Sequence, residues 1–185
     1  MTDTQPDSLH DSLQALIGTR LSAPSQATDP VNLPLIRQWT DAFDDRNPVY
    51  EDADAAAQTR FGDIVAPPAM MQTWTMGRPI LTNLAERGGL TAELDPDSPL
   101  VTLDKAGYIG SLATNSEYEF VRPVRLGDLL TSEAVLETIS ARKKTALGLG
   151  YFITWVTTYT DQLGETVGRQ RFTLFKFDPS TMGAQ

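Results

Sequence analysis

Phe120-Val121-Arg122-Pro123-Val124-Arg125-Leu126-Gly127-Asp128 separates the first two of four runs rich in Val, Thr, Tyr, Phe and Trp: Ala113–Val121, Asp128–Ile139, Thr145–Thr160 and Glu165–Phe177. β-Branched and aromatic side chains favour extended backbone. Turn signals fall between the runs at Leu126-Gly127-Asp128, Ser140–Lys144 and Asp161–Gly164. The second half of the chain therefore reads as an antiparallel sheet of about five long strands.

Toward the N-terminus the pattern changes to helix. Leu9, Leu13, Leu16 and Ile17 recur at helical spacing before Gly18, which predicts a short amphipathic helix over Asp7–Ile17. An edge segment is expected at Thr19–Ala23. Asn32 can cap a helix that opens with Leu33-Pro34 and carries Leu35, Ile36, Trp39 and Phe43 on one face, and Asp44-Asp45-Arg46-Asn47-Pro48 ends it. Glu51–Arg60 is alanine-rich and predicts another short helix. Ala69–Met76 continues with Met70, Met71 and Trp74 in apolar positions, whereas Gly77–Lys105, punctuated by Gly88-Gly89, Pro96 and Pro99, reads as an irregular excursion. Helices in front of long strands give an α+β layer architecture, and Pro68–Met76 is the helix expected to be wrapped by the sheet.

Composition narrows the function classes. The 185 residues, 41% hydrophobic and 21% charged, fit one globular domain. No apolar run approaches the roughly 18 residues of a membrane span. Met1 to Gln14 is acidic and polar, unlike a signal peptide, so a cytoplasmic location is expected. The absence of cysteine removes disulfides, thiolate nucleophiles and Cys-based metal sites, and no metal site is expected. A net charge of −9 argues against a nucleic-acid footprint. The single histidine, His10, lies on the predicted N-terminal helix, so chemistry performed by this chain alone must rest on carboxylates, tyrosines or backbone groups.

Ala42-Phe43-Asp44-Asp45-Arg46-Asn47-Pro48-Val49-Tyr50 is similar to the signature of the MaoC-like hydratases, which ends Gly-Asp-x-Asn-Pro-(Ile/Val)-His. Asp45 takes the Asp position, Asn47 and Pro48 match, and Tyr50 stands where the His should be. In that family the Asp and His act together on the water that adds across an enoyl-CoA double bond. Val65-Ala66-Pro67-Pro68-Ala69 resembles the family's following Val-Ala-His-Gly-Met, whose glycine amide polarises the thioester carbonyl. In the simplest alignment Pro68 replaces that glycine, and a one-residue slip puts Ala69 there instead. Phe120–Asp128 resembles the family's Pro-Val-x-x-Gly-Asp lead into the sheet, so the likeness runs from Leu33 to Phe177.

The resemblance implies a hot-dog fold, a long central helix wrapped by a curved antiparallel sheet. It divides the chain into an N-terminal helix and lead-in (1–30), a MaoC-like domain (31–178) and a tail or linker (179–185). It also implies a degenerate site at Asp45, Asn47, Tyr50 and Pro68, with no catalytic residue in this chain. A tyrosine of ordinary pKa near 10 is a poor base at neutral pH. Proline has no N–H to donate, and losing one oxyanion donor costs on the order of 10²–10³ in rate. Read without the resemblance, Asp45–Tyr50 is an ordinary helix-terminating turn.

A narrower likeness rests on Glu51–Trp74, Asp104-Lys105-Ala106-Gly107-Tyr108-Ile109-Gly110, Ala113-Thr114-Asn115 and Thr145–Phe152. These resemble the MaoC-like subunit of actinobacterial steroid (cholesterol) side-chain enoyl-CoA hydratases. That likeness implies a histidine-bearing hot-dog partner, two heterodimers forming a heterotetramer, and a steroid side-chain enoyl-CoA as substrate. No cofactor is implied beyond the CoA thioester substrate itself. It further implies an OB-fold segment after the tail that meets a thiolase-like aldolase.

Met70, Met71, Trp74, Tyr108 and Ile109 fit either a substrate pocket or ordinary core packing. Arg142, Lys143 and Lys144 fit either contact with CoA phosphates or a solvated basic turn. Three functional readings stand: the non-catalytic subunit of a hydratase, a self-sufficient hydratase or dehydratase using Asp45, and a non-enzymatic acyl-CoA-binding hot-dog protein.

Overall fold

The computed structural model describes residues 8–77 and 98–183. Gly88-Gly89 and Pro96 of the expected excursion lie outside the described residues. The helical elements are α1 (Ser8–Gln14), α2 (Leu33–Phe43), α3 (Ala53–Ala57), α4 (Met71–Trp74) and α5 (Pro99–Lys105). The strands are β1 (Ser25–Gln26), β2 (Gly110–Phe120), β3 (Thr131–Ile139), β4 (Lys143–Thr145), β5 (Gly148–Thr160) and β6 (Thr166–Asp178). All pairing among the described residues is antiparallel, in the order β1-β3-β5-β6-β2, with β4 paired to β5. This is the α+β arrangement expected from the order of helices and strands.

The expected helix over Ala69–Met76 forms differently. Pro67 and Pro68 fix φ and carry no N–H, and the chain makes a 3-10 turn over Pro68–Met70 before the single turn of α4, which ends at Thr75. The expected long central helix is thus represented among the described residues by 68–74. It lies on the sheet: Met71 meets Gly168 of β6, where an added Cβ would fall 2.5 Å from the Met71 sulfur and 2.7 Å from the Glu119 carbonyl oxygen. Gly168→Ala is therefore expected to destabilise the protein by about 1–3 kcal/mol, as overpacking does. Urea unfolding checks this, and an unchanged midpoint would refute the tight seating.

Two expected strand boundaries move for local reasons. The run Thr145–Thr160 begins instead as a hairpin, β4 then β5, turning through Gly148 at φ +119°. Lys143 and Lys144 consequently lie in a strand and not in the turn assigned to them. The run expected from Asp128 starts at Thr131, because the Asp128 carboxylate is held by Arg122 and the Leu129 amide donates to Gln162 Oε1. In the segment expected as irregular, Ser98 caps α5 and Pro99 opens it. The tail also folds back: Thr181 Oγ1 accepts a hydrogen bond from the Leu149 amide at 2.7 Å.

Two buried clusters organise the interior. One joins α2, α4 and the inner face of the sheet through Ile36, Met70, Met71, Trp74, Leu130 and Val167. The other gathers Leu13 of α1 and Leu103 of α5 against Leu136, Tyr151 and Ile153. Among the described residues no helix is long and apolar enough to cross a membrane.

Candidate functional site

The segment from Asp45 to Tyr50 is built by two successive caps. Asn32 accepts from the Leu35 amide and starts α2, and Asp44 ends it in the left-handed region at φ 51°. Asp45 then accepts from the Asn47 amide at 3.1 Å, and Asn47 accepts from the Val49 amide at 3.2 Å. These bonds cap the 3-10 turn Pro48–Tyr50. Beneath it the buried Thr40 hydroxyl bonds the Glu51 carboxylate.

The turn opens onto a cavity of about 650 Å³. Asn47, Val49 and Tyr50 form one wall, Arg60, Phe61, Val65, Ala66, Pro68 and Met71 a second, and Phe120 to Arg125 the third. The walls are stitched together by the Ala66 amide, which donates to the Val124 carbonyl at 2.8 Å, and by a bridge between Val65 and Arg125. Asn47, Tyr50, Pro68 and Met71 are thus brought to one place, whereas Asp45 does not line the cavity. Burial first, and the Asp45 carboxylate second, hold the half-buried Tyr50 phenol above its ordinary pKa, outweighing the opposing hydrogen bond to Asn47. Tyr50 is therefore less ionised at neutral pH than an exposed tyrosine, so the phenolate that could accept a proton is scarcer. Pro67 and Pro68 supply no amide, and Ala69 supplies the first amide of the turn.

The other residues singled out in the sequence lie elsewhere. Met70 and Trp74 are buried in the first core cluster. Tyr108 packs edge-on against Tyr151 with ring centroids 5.0 Å apart, and Ile109 is 66% exposed at the start of β2. His10 stacks on the same Tyr151, with centroids 6.2 Å apart. Tyr151 pairs with Lys176, whereas Met71 of the cavity wall meets Gly168, eight residues away along β6, so His10 sits toward the other end of that strand from the cavity. Arg142, Lys143 and Lys144 precede or form β4, at that same far end of the sheet.

Composition and spacing did not reveal Arg60, Phe61, Arg122 or Arg125. Arg122 is the hub of the wall, donating to Asp128 at 2.7 and 3.2 Å and to Asp161 at 2.6 Å. Asp161 also accepts from the Leu163 and Glu165 amides. Burial alone would raise the Asp161 carboxyl, but Arg122 and the two amides outweigh it and hold the pKa below the ordinary value. Among the described residues no cluster of His, Asp or Glu could hold a metal ion.

Residues 15–170 match the model of the FAS1-like dehydratase domain region. The chain belongs to the MaoC-like hot-dog dehydratase family. This hot-dog chain is 45% identical over 168 residues to the probable enoyl-CoA hydratase alpha subunit of Thermomonospora curvata, covering 90% of this chain and 51% of that protein. It is 40% identical over 161 residues to the 3-oxo-4,17-pregnadiene-20-carboxyl-CoA hydratase alpha subunit of Mycobacterium tuberculosis, covering 86% of this chain and 49% of the relative. The hot-dog chain thus spans about half the length of these curated relatives. Among solved structures it superposes on a chain of the ChsH1-ChsH2 complex from Mycobacterium tuberculosis, with 36% identity and a TM-score of 0.78. That superposition covers 93% of this chain and 92% of the other.

Proposed function

We propose that this chain is the non-catalytic, substrate-accommodating subunit of a heteromeric enoyl-CoA hydratase that adds water to a steroid side-chain enoyl-CoA, as in cholesterol catabolism. The carrying observation is Tyr50: the residue in the histidine position is a phenol held above its ordinary pKa, facing a turn that begins with two prolines. A partner hot-dog subunit supplies the Asp and His. The alpha-subunit relatives and the two-protein complex support a heteromeric assembly.

The edge of the sheet fits that partnership. β2 ends the strand order, and its residues from Ser111 to Phe120 are exposed. Among the described residues no strand pairs with its outer side, and an edge of this length invites another strand. Antiparallel pairing of two such edges sets the Gly110 end of one chain beside the Phe120 end of the other. Ile109 and, at the same end of the sheet, Arg142, Lys143 and Lys144 then fall toward the partner's cavity, where basic side chains meet CoA phosphates. Two such heterodimers form the heterotetramer, in the cytoplasm, and an OB-fold segment beyond this domain meets a thiolase-like aldolase.

The test is hydration measured with the chain alone and after co-expression with a histidine-bearing MaoC-like chain. The chain alone is expected to give no turnover above background, and the complex is expected to prefer a steroid side-chain enoyl-CoA to crotonyl-CoA. Preference for crotonyl-CoA removes the steroid assignment, and robust turnover by the chain alone removes the non-catalytic one.

A further inference from the structure

Lys105, Lys143 and Lys144 are exposed, whereas Lys176 of β6 is only 4% exposed. Its ammonium donates to the Asp104 carboxylate near the end of α5 and to the Ser111 hydroxyl oxygen at 2.9 Å. Ser111 and Tyr151 stand opposite Lys176 on the two neighbouring strands, so the three side chains share one face of the sheet. Tyr108 and His10 both pack on that Tyr151. The cluster sits toward the other end of β6 from the cavity, and the hydration proposed for the complex does not use it.

Burying an ammonium is costly, and an apolar side chain of similar length would fill the space with less penalty. What the charge adds is direction. Asp104 and Ser111 are the two ends of one corner. Between them α5 ends, Gly107 takes φ +93°, and β2 begins at Gly110. The Gly107 and Tyr108 amides donate back to the Asp104 and Leu103 carbonyls at 3.0 and 2.9 Å, so the corner is continuous with α5. One ammonium therefore grips this corner on both sides. α5 has seven residues, too few to stand alone, and its buried residues are Pro99 and Leu103. Apolar contacts of that kind hold a helix to a sheet without fixing its rotation. Within the corner Ile109 is 66% exposed.

We propose that Lys176 is a positioning residue that locks the Asp104–Ser111 corner and so presents Ile109, in one fixed place, to the subunit paired along β2. This rests on the edge pairing proposed above, which brings Ile109 toward the partner's cavity. It deepens that reading by naming the group inside this chain that fixes the contact. A corner ordered before docking spares the complex the cost of ordering it on association, and the substrate then meets a preformed wall.

Hydrogen exchange of the full chain, without a partner, reads the lock itself. Lys176→Met is expected to speed exchange of the amides at 107–112 about tenfold or more, the usual consequence of losing a charge-assisted bond, and to leave 116–120 unchanged. Because that change strands the Asp104 carboxylate, Lys176→Met with Asp104→Leu serves as a second variant. It replaces the pair by apolar groups, so it is expected to unfold near the midpoint of the unmodified chain and still to exchange faster at 107–112. In a complex co-expressed with a histidine-bearing MaoC-like chain, the double variant is expected to raise KM for a steroid side-chain enoyl-CoA about fivefold or more. Its kcat should stay within about twofold, the mark of lost binding and not of lost chemistry. Unchanged exchange at 107–112 in both variants would overturn the lock, and faster exchange with an unchanged KM would overturn its role toward the partner. An unmodified complex without hydration defeats the hydratase reading, and the exchange result, which needs neither partner nor substrate, still decides the lock.

Discussion

Asp45→Ala in the assembled complex is expected to leave hydration within about threefold of the unmodified complex, whereas replacing the histidine or aspartate of the partner is expected to lower it about 10²–10⁴-fold, the usual worth of a positioned general base. The asymmetry follows from geometry. Asp45 spends its carboxylate on the Asn47 amide, lies outside the cavity walls, and acts on Tyr50 only by disfavouring the phenolate. Its loss removes a local turn bond and, on the proposed division of labour, leaves water activation by the partner untouched. Steady-state kinetics on complexes carrying one substitution at a time checks this. A loss of about a hundredfold or more with Asp45→Ala would make this chain a catalyst in its own right.

Legibility in the sequence divided along the distance over which a feature is determined. The cap at Asn32, the stop at Asp44–Pro48 and the four long strands are set by neighbours in the chain, and they were read within a few residues of their observed bounds. The exchange of histidine for Tyr50 was visible from a motif alone. What burial and Asp45 do to the phenol was not, because it depends on how the turn seats against Val49 and the cavity. The helix expected over Ala69–Met76 was misjudged in form because apolar spacing was counted and the geometry of two successive prolines was not. Arg60, Arg122 and Arg125 escaped notice because a charged residue announces a site only when its partner, or lack of one, is known. Arg122 and Asp161 are 39 residues apart. Tyr108, Ile109 and the basic run lie together at the far end of the sheet for the same reason: their meeting is set by strand register, through Gly110 against Phe177 and Lys143 against Gly150.

Arg122→Met is expected to be the most damaging single change to the wall, destabilising the chain by about 3 kcal/mol at neutral pH, at the lower end of what breaking a buried ion pair costs. The guanidinium serves two nearly buried carboxylates at once, and removing it leaves Asp128 and Asp161 facing each other's charge with their amide donors alone. The pH dependence gives the cause away. In the unmodified protein the folded Asp161 pKa is depressed, so its contribution is present above the unfolded value and is lost as pH falls through the folded one. In the variant the burial that opposes ionisation loses its main counterweight, so ionised Asp161 becomes a liability at pH 7 that protonation relieves. The stability gap between the two proteins should therefore be widest near neutrality and should narrow as pH falls through about 4 and below, where the Asp161 carboxyl takes up its proton. Denaturant unfolding at pH 7 and at about pH 3 measures it. A gap that stays constant with pH would mean that Arg122 stabilises through the packing of its stem, since a lost stem contact does not titrate whereas a stranded Asp161 carboxylate does.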